Sequence, residues 1–398
     1  MLILGNTTTE NVFEGTSMSL RETLSNYWQK FQAELFPFLD EAIGPLTASH
    51  RQLVVVLDML RPEVLVRHWH GAPGRPASER AALARAFVAK AGLNLPTTAM
   101  LIERVHIDKT LRHLCGWQSL SQVPSEATFS RAFAEFAASQ LPARLHEALI
   151  RQTHGDRLVG HIARDSTAIQ GREKPHKPKQ PKAPVPAKKR GRPKKDEPRP
   201  AQELRRIAQQ AAGMGLAEML ADLPRHCDTG VKRNAKGYQE SWTGFKLHID
   251  TADGDIPVGC ILTSASVHDS QVAIPLSLLT AARLTSCYDL MDSAYDVPEI
   301  RQHSLALGHV AIIDINPRRN AELKQHLVQE YKRQTLIGHT TPEALRYNER
   351  SSAERVNGNL KDNHGGRTVR VRGADKVMCH LMFGIAVIAV AQILRLVT

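Results

Sequence analysis

Residues 242–264 contain two apolar runs, Trp242-Thr-Gly-Phe-Lys-Leu-His-Ile-Asp250 and Ile256-Pro-Val-Gly-Cys-Ile-Leu-Thr-Ser264, joined through Ala252-Asp-Gly-Asp255. Both runs are rich in β-branched and apolar residues, and the residues between them are turn formers, so the stretch predicts a β-hairpin. Each run is long enough for a strand and short for a core helix. A β-sheet is therefore expected in this half of the chain.

The segments around the hairpin predict a larger sheet. A strand is predicted over 157–165 before the hairpin, and a short helical stretch over 216–223 lies between them. After it come a helix over about 270–284, a strand ending at Asp292, a helix over about 298–307 and a strand over 309–315. The order strand, hairpin, helix, strand, helix, strand predicts an α/β domain over 154–398, with a mixed sheet and flanking helices.

The preceding residues, 1–153, have a different pattern. From Leu20 to about Thr153, apolar residues recur at intervals of three and four, which predicts an all-α N-terminal domain. Ser125 is placed to cap a helix whose first turns carry Ser130 and Arg131. Such a helix could enter a DNA groove as a recognition helix, or it could be an ordinary helix of a bundle. Both interpretations stay open.

The net charge of +12 is concentrated in one segment. Residues 171–200 hold twelve Lys or Arg against three acids, and also eight of the 22 prolines, with almost no large apolar residue. Such a segment cannot bury enough surface to fold, so we expect a disordered basic arm that interrupts the α/β domain. Within it, Arg190-Gly-Arg-Pro193 resembles an AT-hook. We expect Arg190, Arg192, Lys194 and Lys195 to bind DNA, at least through phosphates.

Composition also excludes several classes of protein. The five cysteines are widely spaced without a C-x-x-C pair, which argues against a zinc site or a disulfide framework and suits a reducing compartment. The N-terminus lacks the pattern of a signal peptide. The apolar run 377–396 is long enough for a membrane span, but His380, Gln392 and Arg395 favour a buried closing helix of the core. We therefore expect a cytoplasmic protein without a membrane partner.

Two acidic residues come at predicted strand ends. Asp165 follows the first strand in Arg-Asp-Ser-Thr, and Asp292 ends the first strand after the hairpin in Met-Asp-Ser-Ala-Tyr. A single aspartate at a strand end is usually a cap or a turn former. Two neighbouring strand ends, however, can bring both carboxylates within reach of one metal ion. The pair therefore predicts a site at this edge of the sheet.

A third acid, Glu354, belongs to a spaced set with Tyr347, Arg350 and Lys361. If these residues lie on one long helix, their side chains fall on a stripe about 60° wide, at about 100° per residue. A solvated charged face is the alternative interpretation. The alignment of these four residue types favours a functional surface.

The spacing Tyr, two residues, Arg, three residues, Glu, six residues, Lys resembles the signature helix of DDE transposases in the insertion-sequence-four superfamily. Asp165-Ser-Thr, Val267-His-Asp-Ser270 and Asp292-Ser-Ala-Tyr-Asp296 are similar to other motifs of that group. The resemblance implies an RNase-H-like catalytic core and two Mg²⁺ or Mn²⁺ ions. It departs from the best-known members in the short interval between Asp292 and Glu354, which leaves no room for a large strand-rich insertion.

The resemblance implies roles for these residues. Asp165 would bridge both ions, and Asp292 and Glu354 would each complete one site, because hard cations prefer oxygen ligands. Tyr347, Arg350 and Lys361 would hold the DNA backbone near the scissile bond.

The implied reaction is metal-dependent cleavage at the inverted-repeat ends of a transposon, followed by transfer of the freed 3′ hydroxyl into target DNA. Double-stranded DNA is the expected partner, and a homodimer is expected in the synaptic complex at the bacterial nucleoid. A nuclease of the same fold without strand transfer, and an inactive DNA-binding remnant, are the alternatives.

Overall fold

The computed structural model describes residues 19–66, 78–176, 204–233 and 237–397. The first part of the chain is helical, as predicted. Serine and threonine side chains cap several of these helices, Ser19 and Thr47 in reciprocal capping boxes. The helices are α1 (Leu20–Lys30), α2 (Phe36–Ile43), α3 (Ala48–Leu60), α4 (Pro62–Leu65), α5 (Arg80–Gly92), α6 (Thr98–Ile107), α7 (Lys109–Cys115), α8 (Glu126–Ala138) and α9 (Leu141–His154).

A mixed sheet follows, in the order β2-β3-β1-β5-β6, with β4 also paired to β3. The central strand β1 runs antiparallel to β3 and parallel to β5, and β5 runs parallel to β6. The prediction of a mixed sheet with flanking helices is confirmed. The strands are β1 (Leu158–Gln170), β2 (Asp228–Arg233), β3 (Gln239–Ala252), β4 (Ile256–Ser264), β5 (Thr285–Met291) and β6 (Val310–Ile313).

The helices of this second part lie between and after the strands. They are α10 (Arg206–Ala211), α11 (Leu216–Asp222), α12 (Ser270–Ala281), α13 (Pro298–Ala306), α14 (Ala321–Ile337), α15 (Pro342–Tyr347), α16 (Ser351–Asn363) and α17 (Ala374–Leu394). The predicted hairpin is β3 and β4. Its turn needs left-handed backbone at Gly254 (φ 76°) and Asp255 (φ 62°), residue types that tolerate this conformation.

The closing helix α17 joins the helical part to the sheet. It is apolar on all sides and packs against α3, α5, α8 and α9 on one side and β4 and α16 on the other. It is the one helix in the described ranges that is long and apolar enough to cross a membrane, and 83% of its most apolar 18-residue stretch is buried inside the fold. The predicted buried closing helix is confirmed, and one hydrophobic core runs through both parts of the chain.

A buried histidine fixes α9 to the sheet and predicts a pH dependence of stability. His146 is fully buried, its Nε2 lies 2.7 Å from the carbonyl oxygen of Pro257, and its Nδ1 has no hydrogen-bond partner in the described part of the chain. Burial, together with nearby Arg283, lowers the pKa of His146 to about 3. Unfolding exposes the imidazole, which then titrates near 6.5. Stability from neutral His146 is therefore fully present above pH 6.5 and is lost as the pH falls toward 3.

We expect the free energy of unfolding to fall as the pH is lowered from 6.5 to 4, partly through this residue. His146→Gln should make that dependence shallower by about 1.4 kcal/mol per pH unit, the effect of one proton. Urea unfolding across this range measures the slope. His326→Gln is the control, because His326 is exposed on α14. Equal slopes in the wild type and His146→Gln would contradict the prediction.

Candidate active site

Asp165 lies within β1, which continues to Gln170. The prediction that the strand ends at Asp165 was wrong, because β3 keeps pairing with β1 beyond this point, with Asp165 opposite Ile249. The pairing of β1 with β5, in contrast, stops at Arg164 opposite Met291. Asp165 therefore lies where β1 has lost its neighbour on one side, which opens the space beside its carboxylate.

Asp292 occupies that space from the neighbouring strand. It directly follows β5, as predicted, and its Oδ1 accepts a hydrogen bond of 2.9 Å from the backbone N–H of Ala294. This bond caps a 3₁₀ turn over Ser293–Tyr295. Since Arg164 and Met291 are in register on parallel strands, the residues that follow them, Asp165 and Asp292, are neighbours at the same edge.

The electrostatics of this pair favour a cation. Burial is the main cause that raises the pKa of Asp165 to about 6; the charges of Asp292 and Asp269 also raise it, while Arg350 opposes them. The pKa of Asp292 is raised as well, mainly by burial. Burial and the repulsion between neighbouring negative charges both make the ionised forms of these carboxylates less favourable. A bound cation would relieve this cost.

Glu354 lies on the first turn of α16, which packs across β1. Its side chain is 58% exposed, and its Oε1 accepts a hydrogen bond of 2.6 Å from Nη2 of Arg350. In the described ranges, no three His, Cys, Asp or Glu side chains form a group that could hold one metal ion. The structure thus brings Asp165 and Asp292 together and holds Glu354 in an ion pair beside them. The residue types fit a hard divalent cation, because all three offer carboxylate oxygens.

The predicted single helix from Tyr347 to Lys361 was wrong in detail. The helical path has three parts, α15, a 3₁₀ turn over Asn348–Arg350, and α16. A 3₁₀ turn advances about 120° per residue and shifts the predicted stripe. Tyr347, Arg350 and Glu354 nevertheless remain in contact. Arg350 lies over the ring of Tyr347, 5.6 Å from its centroid, and binds Glu354.

The outer two members of the stripe have different surroundings. The hydroxyl of Tyr347 donates to Oδ2 of Asp314 at 2.7 Å, and this bond ties α15 to the end of β6. Lys361 is half-buried on the last turn of α16, and burial lowers the pKa of its ammonium, whereas Asp165 raises it. Lys361 is therefore close enough to Asp165 for the two charges to interact, and it forms no ion pair with any residue that the structure describes.

The other predicted DNA contacts lie away from the acids or outside the described residues. Ser130 and Arg131 are exposed on α8, which packs against α5, α6, α9 and α17, so the structure does not bring them to Asp165. Ser125 is the N-cap residue of α8, as predicted, but its hydroxyl lies 3.3 Å from that of Thr128 and forms no capping bond to a backbone N–H. The cationic residues of the arm lie outside the described residues: Arg190, Arg192, Lys194 and Lys195.

Asp269, which the sequence placed in the motif Val267-His-Asp-Ser270, forms a polar cluster on the other face of the sheet whose partners the sequence did not identify. Oδ1 of Asp269 accepts hydrogen bonds from Nζ of Lys246 at 3.0 Å and from Oγ of Ser166 at 2.9 Å. Ser166 is next to Asp165 on β1, so the cluster fixes that strand to β3 and to the start of α12. On the α16 face, Nδ2 of Asn357 donates to Oδ2 of Asp165 at 3.1 Å. The strand that carries Asp165 is therefore fixed through Ser166 on one face of the sheet, and the Asp165 carboxylate is bound by Asn357 on the other.

A buried ion pair lies directly before the two acids. Arg164 and Asp250 are both buried, and the guanidinium donates two hydrogen bonds of 2.8 Å to the carboxylate. Thr280 donates a further bond of 2.7 Å to Asp250, and Nη1 of Arg164 lies 3.4 Å from Sδ of Met291. Arg164 and Met291 directly precede Asp165 and Asp292. The Arg164–Asp250 ion pair therefore stabilises the strand register on which the site depends.

Comparison with known families agrees with this geometry. A family model described as a transposase DDE domain matches residues 160–390, more than half of the chain, and spans Asp165, Asp292 and Glu354. A second model, described as a transposase domain, matches residues 40–135. No curated protein and no solved structure matches the chain. The chain therefore belongs to the DDE transposases of insertion sequences, enzymes of RNase-H-like fold that generally use divalent metal ions to cleave DNA and transpose it.

Proposed function

We propose that Asp165, Asp292 and Glu354 are the catalytic carboxylates of this transposase. The strand register carries the proposal, because it makes Asp165 and Asp292 neighbours where β5 ends, with α16 and Glu354 packed across β1. The raised pKa of both aspartates supports the same assignment, since the space disfavours further negative charge and favours a cation. The spacing from Tyr347 to Lys361 supports membership of the insertion-sequence-four group.

The carboxylates would hold two Mg²⁺ or Mn²⁺ ions, with Asp165 bridging and Asp292 and Glu354 each completing one site. When bound, such ions activate the attacking water or hydroxyl and neutralise charge on the leaving oxygen. Glu354 is engaged by Arg350 in this structure. A DNA phosphate is a competing anion for the guanidinium, which binds it through paired hydrogen bonds. Entry of DNA would thus release Glu354 to turn toward Asp165.

The residues around the acids would position the DNA. Arg350 and Lys361 carry positive charge beside Asp165, and each interacts electrostatically with it. Their charges would neutralise the phosphates on either side of the scissile bond. The hydrogen bond from Tyr347 to Asp314 would hold the tyrosine ring in place beneath Arg350, and the ring would thereby orient the guanidinium.

The remainder of the chain would recognise and hold the DNA. We assign residues 1–153 as a helical domain that binds the inverted-repeat ends, with Ser130 and Arg131 exposed on α8. Residues 154–398 would form the catalytic domain, interrupted by the basic arm at 171–200. A homodimer would hold two ends together in the synaptic complex, in the cytoplasm at the nucleoid.

A strand-transfer assay with Mg²⁺, the element's own end sequence and a plasmid target tests the assignment. Glu354→Ala should lower the rate of joining by about 10²-fold or more, since a lost ligand forfeits several kcal/mol of charge stabilisation in the transition state. Glu349→Ala is the matched control, an exposed glutamate on the preceding turn, and should keep wild-type activity.

The outcomes separate the possible functions. Joining that survives in Glu354→Ala would refute the assignment of Glu354. Metal-dependent cutting without joining by the wild type would favour a nuclease, and DNA binding without cutting would favour an inactive remnant.

A further inference from the structure

The segment 316–347, which connects β6 to the 3₁₀ turn before α16, is the second basic region of the chain. It holds six Lys or Arg against three acids. With 171–200 contributing +9 of the net charge of +12, this segment accounts for the remaining +3, and the rest of the chain is formally neutral. A local excess of positive charge beside a site for DNA predicts contact with phosphates.

Both ends of the segment are fixed close to Asp292. The backbone N–H of Asn316 donates to Oδ2 of Asp296 at 2.9 Å, and Arg318 donates to the carbonyl oxygen of the same residue at 2.9 Å. At the other end, Tyr347 binds Asp314. Asp296 directly follows the turn that Asp292 caps. The segment is thus attached at the rim of the active site.

The helix of this segment, α14, has no buried residue. Its inner side is half-buried, through Leu323, Leu327, Glu330 and Gln334. A neighbouring side presents Lys324, Val328, Tyr331 and Lys332, which fall within an arc of about 100° whose centre is about 120° from the inner side. Glu330 is on the inner side and pairs with Arg333. The outer face therefore carries two cations and no acid.

The groups on that outer face are free to bind a ligand. Among the residues that the structure describes, the ammonium groups of Lys324 and Lys332 form no hydrogen bond or ion pair, and Tyr331 is 72% exposed. The two lysines are about 12 Å apart along the helix, a span of three to four nucleotides at about 3.4 Å each on one strand. A second copy of this chain would meet the face with like charges in a symmetric contact. A polyanion is the complementary partner.

We propose that the outer face of α14, formed by Lys324, Val328, Tyr331 and Lys332, binds the phosphate backbone of the DNA duplex that flanks the active site. The lysines contact phosphates, and Tyr331 and Val328 cover the sugar edges between them. The proposal rests on the proposed function only in taking DNA as the substrate. The face adds affinity independent of sequence and sets the path of the duplex away from Asp165.

Salt dependence of DNA binding tests this proposal without cleavage. The full chain is titrated in EDTA against a fluorescein-labelled duplex of random sequence at several salt concentrations. Lys324→Gln/Lys332→Gln should weaken binding and lower the slope of log affinity against log salt by about 1.8, at 0.9 for each lost phosphate contact. Gln302→Glu/Gln325→Glu is the matched control, because it changes the net charge by the same amount at exposed residues of α13 and α14, neither of which is three or four residues from Lys324 or Lys332.

Three results would overturn the proposal. An unchanged slope in the lysine variant excludes phosphate contacts by this face. An equal loss in both variants shows that only overall charge matters. If the lysine variant has a different mass from the wild type in light scattering and the same salt slope, the partner of this face is a second copy of the chain. Because binding is measured in EDTA, failure of strand transfer in the wild type would count against the proposed function and leave this test intact.

Discussion

Asp165→Asn is expected to abolish DNA cleavage and joining, with a loss of about 10³-fold or more, while making the metal-free protein more stable. The catalytic loss follows from the proposed bridging role, since removal of one charged oxygen weakens both ion sites. The gain in stability follows from the surroundings of the carboxylate, which burial and the charges of Asp292 and Asp269 disfavour.

The sign of the stability effect comes from the direction of the pKa shift. The pKa of Asp165 is raised to about 6 in the folded protein, above the ordinary value near 3.9 for the unfolded chain. The folded state therefore holds the proton more tightly, and the ionised form at pH 8 costs stability. A neutral asparagine removes that cost. We expect a gain on the order of 1–3 kcal/mol in the free energy of unfolding.

Thermal unfolding in EDTA and in Mg²⁺, beside DNA binding and strand transfer, measures both effects. The wild type should melt higher in Mg²⁺, because an ion that binds only the folded state stabilises it, whereas Asp165→Asn should respond little. Asp362→Asn is the control, since Asp362 is an exposed carboxylate of α16 paired with Arg367. A variant less stable than the wild type in EDTA would contradict the electrostatic account of the site.

The sequence predicted the elements whose signals are local. The hairpin of β3 and β4 follows from its apolar runs and the turn residues between them, and Asp292 follows a strand because the apolar run before it stops there. The buried closing helix α17 follows from the lack of any polar face. These features depend on a few neighbouring residues, so pattern alone identifies them.

The position of Asp165 within β1 could not be predicted in this way. Residues 166–170 are polar or small at several positions, and their strand conformation depends on pairing with β3, more than seventy residues later. The same limit applies to Glu354. The sequence identified Glu354 by its spacing from Tyr347, Arg350 and Lys361. Its ion pair with Arg350 depends on the 3₁₀ turn over Asn348–Arg350, and no residue type in that turn predicts a 3₁₀ conformation.

The cluster around Asp269 had a signal that could have been used. Residues 256–264 are apolar except for Thr263 and Ser264, a run that is typical of a strand covered on both faces, and the structure buries all of them. Lys246, His248 and Asp250 alternate along the neighbouring strand and therefore share one face. Three polar side chains on a covered face must find partners, because an unpaired buried charge is costly. That reasoning predicts internal partners, which the structure supplies through Asp269 and Arg164.

The buried Arg164–Asp250 pair leads to the second large expected effect. Asp250→Ala should lower the free energy of unfolding by about 3–5 kcal/mol, because the buried Arg164 guanidinium loses its hydrogen-bonded counter-charge. Urea unfolding measures the loss. Arg355→Ala is the control, since Arg355 and Asp255 form a pair with the same two-bond geometry but the arginine is 52% exposed. An exposed pair contributes at most about 1 kcal/mol.

A double variant separates the buried charge from the packing. Arg164→Met/Asp250→Leu removes both charges and retains most of the volume, so it should recover much of the stability that Asp250→Ala loses. Strand transfer should not recover with it if the pair also sets the register of Arg164 and Met291, on which the neighbouring positions of Asp165 and Asp292 depend. A double variant that regains both stability and activity would show that apolar packing alone maintains the register.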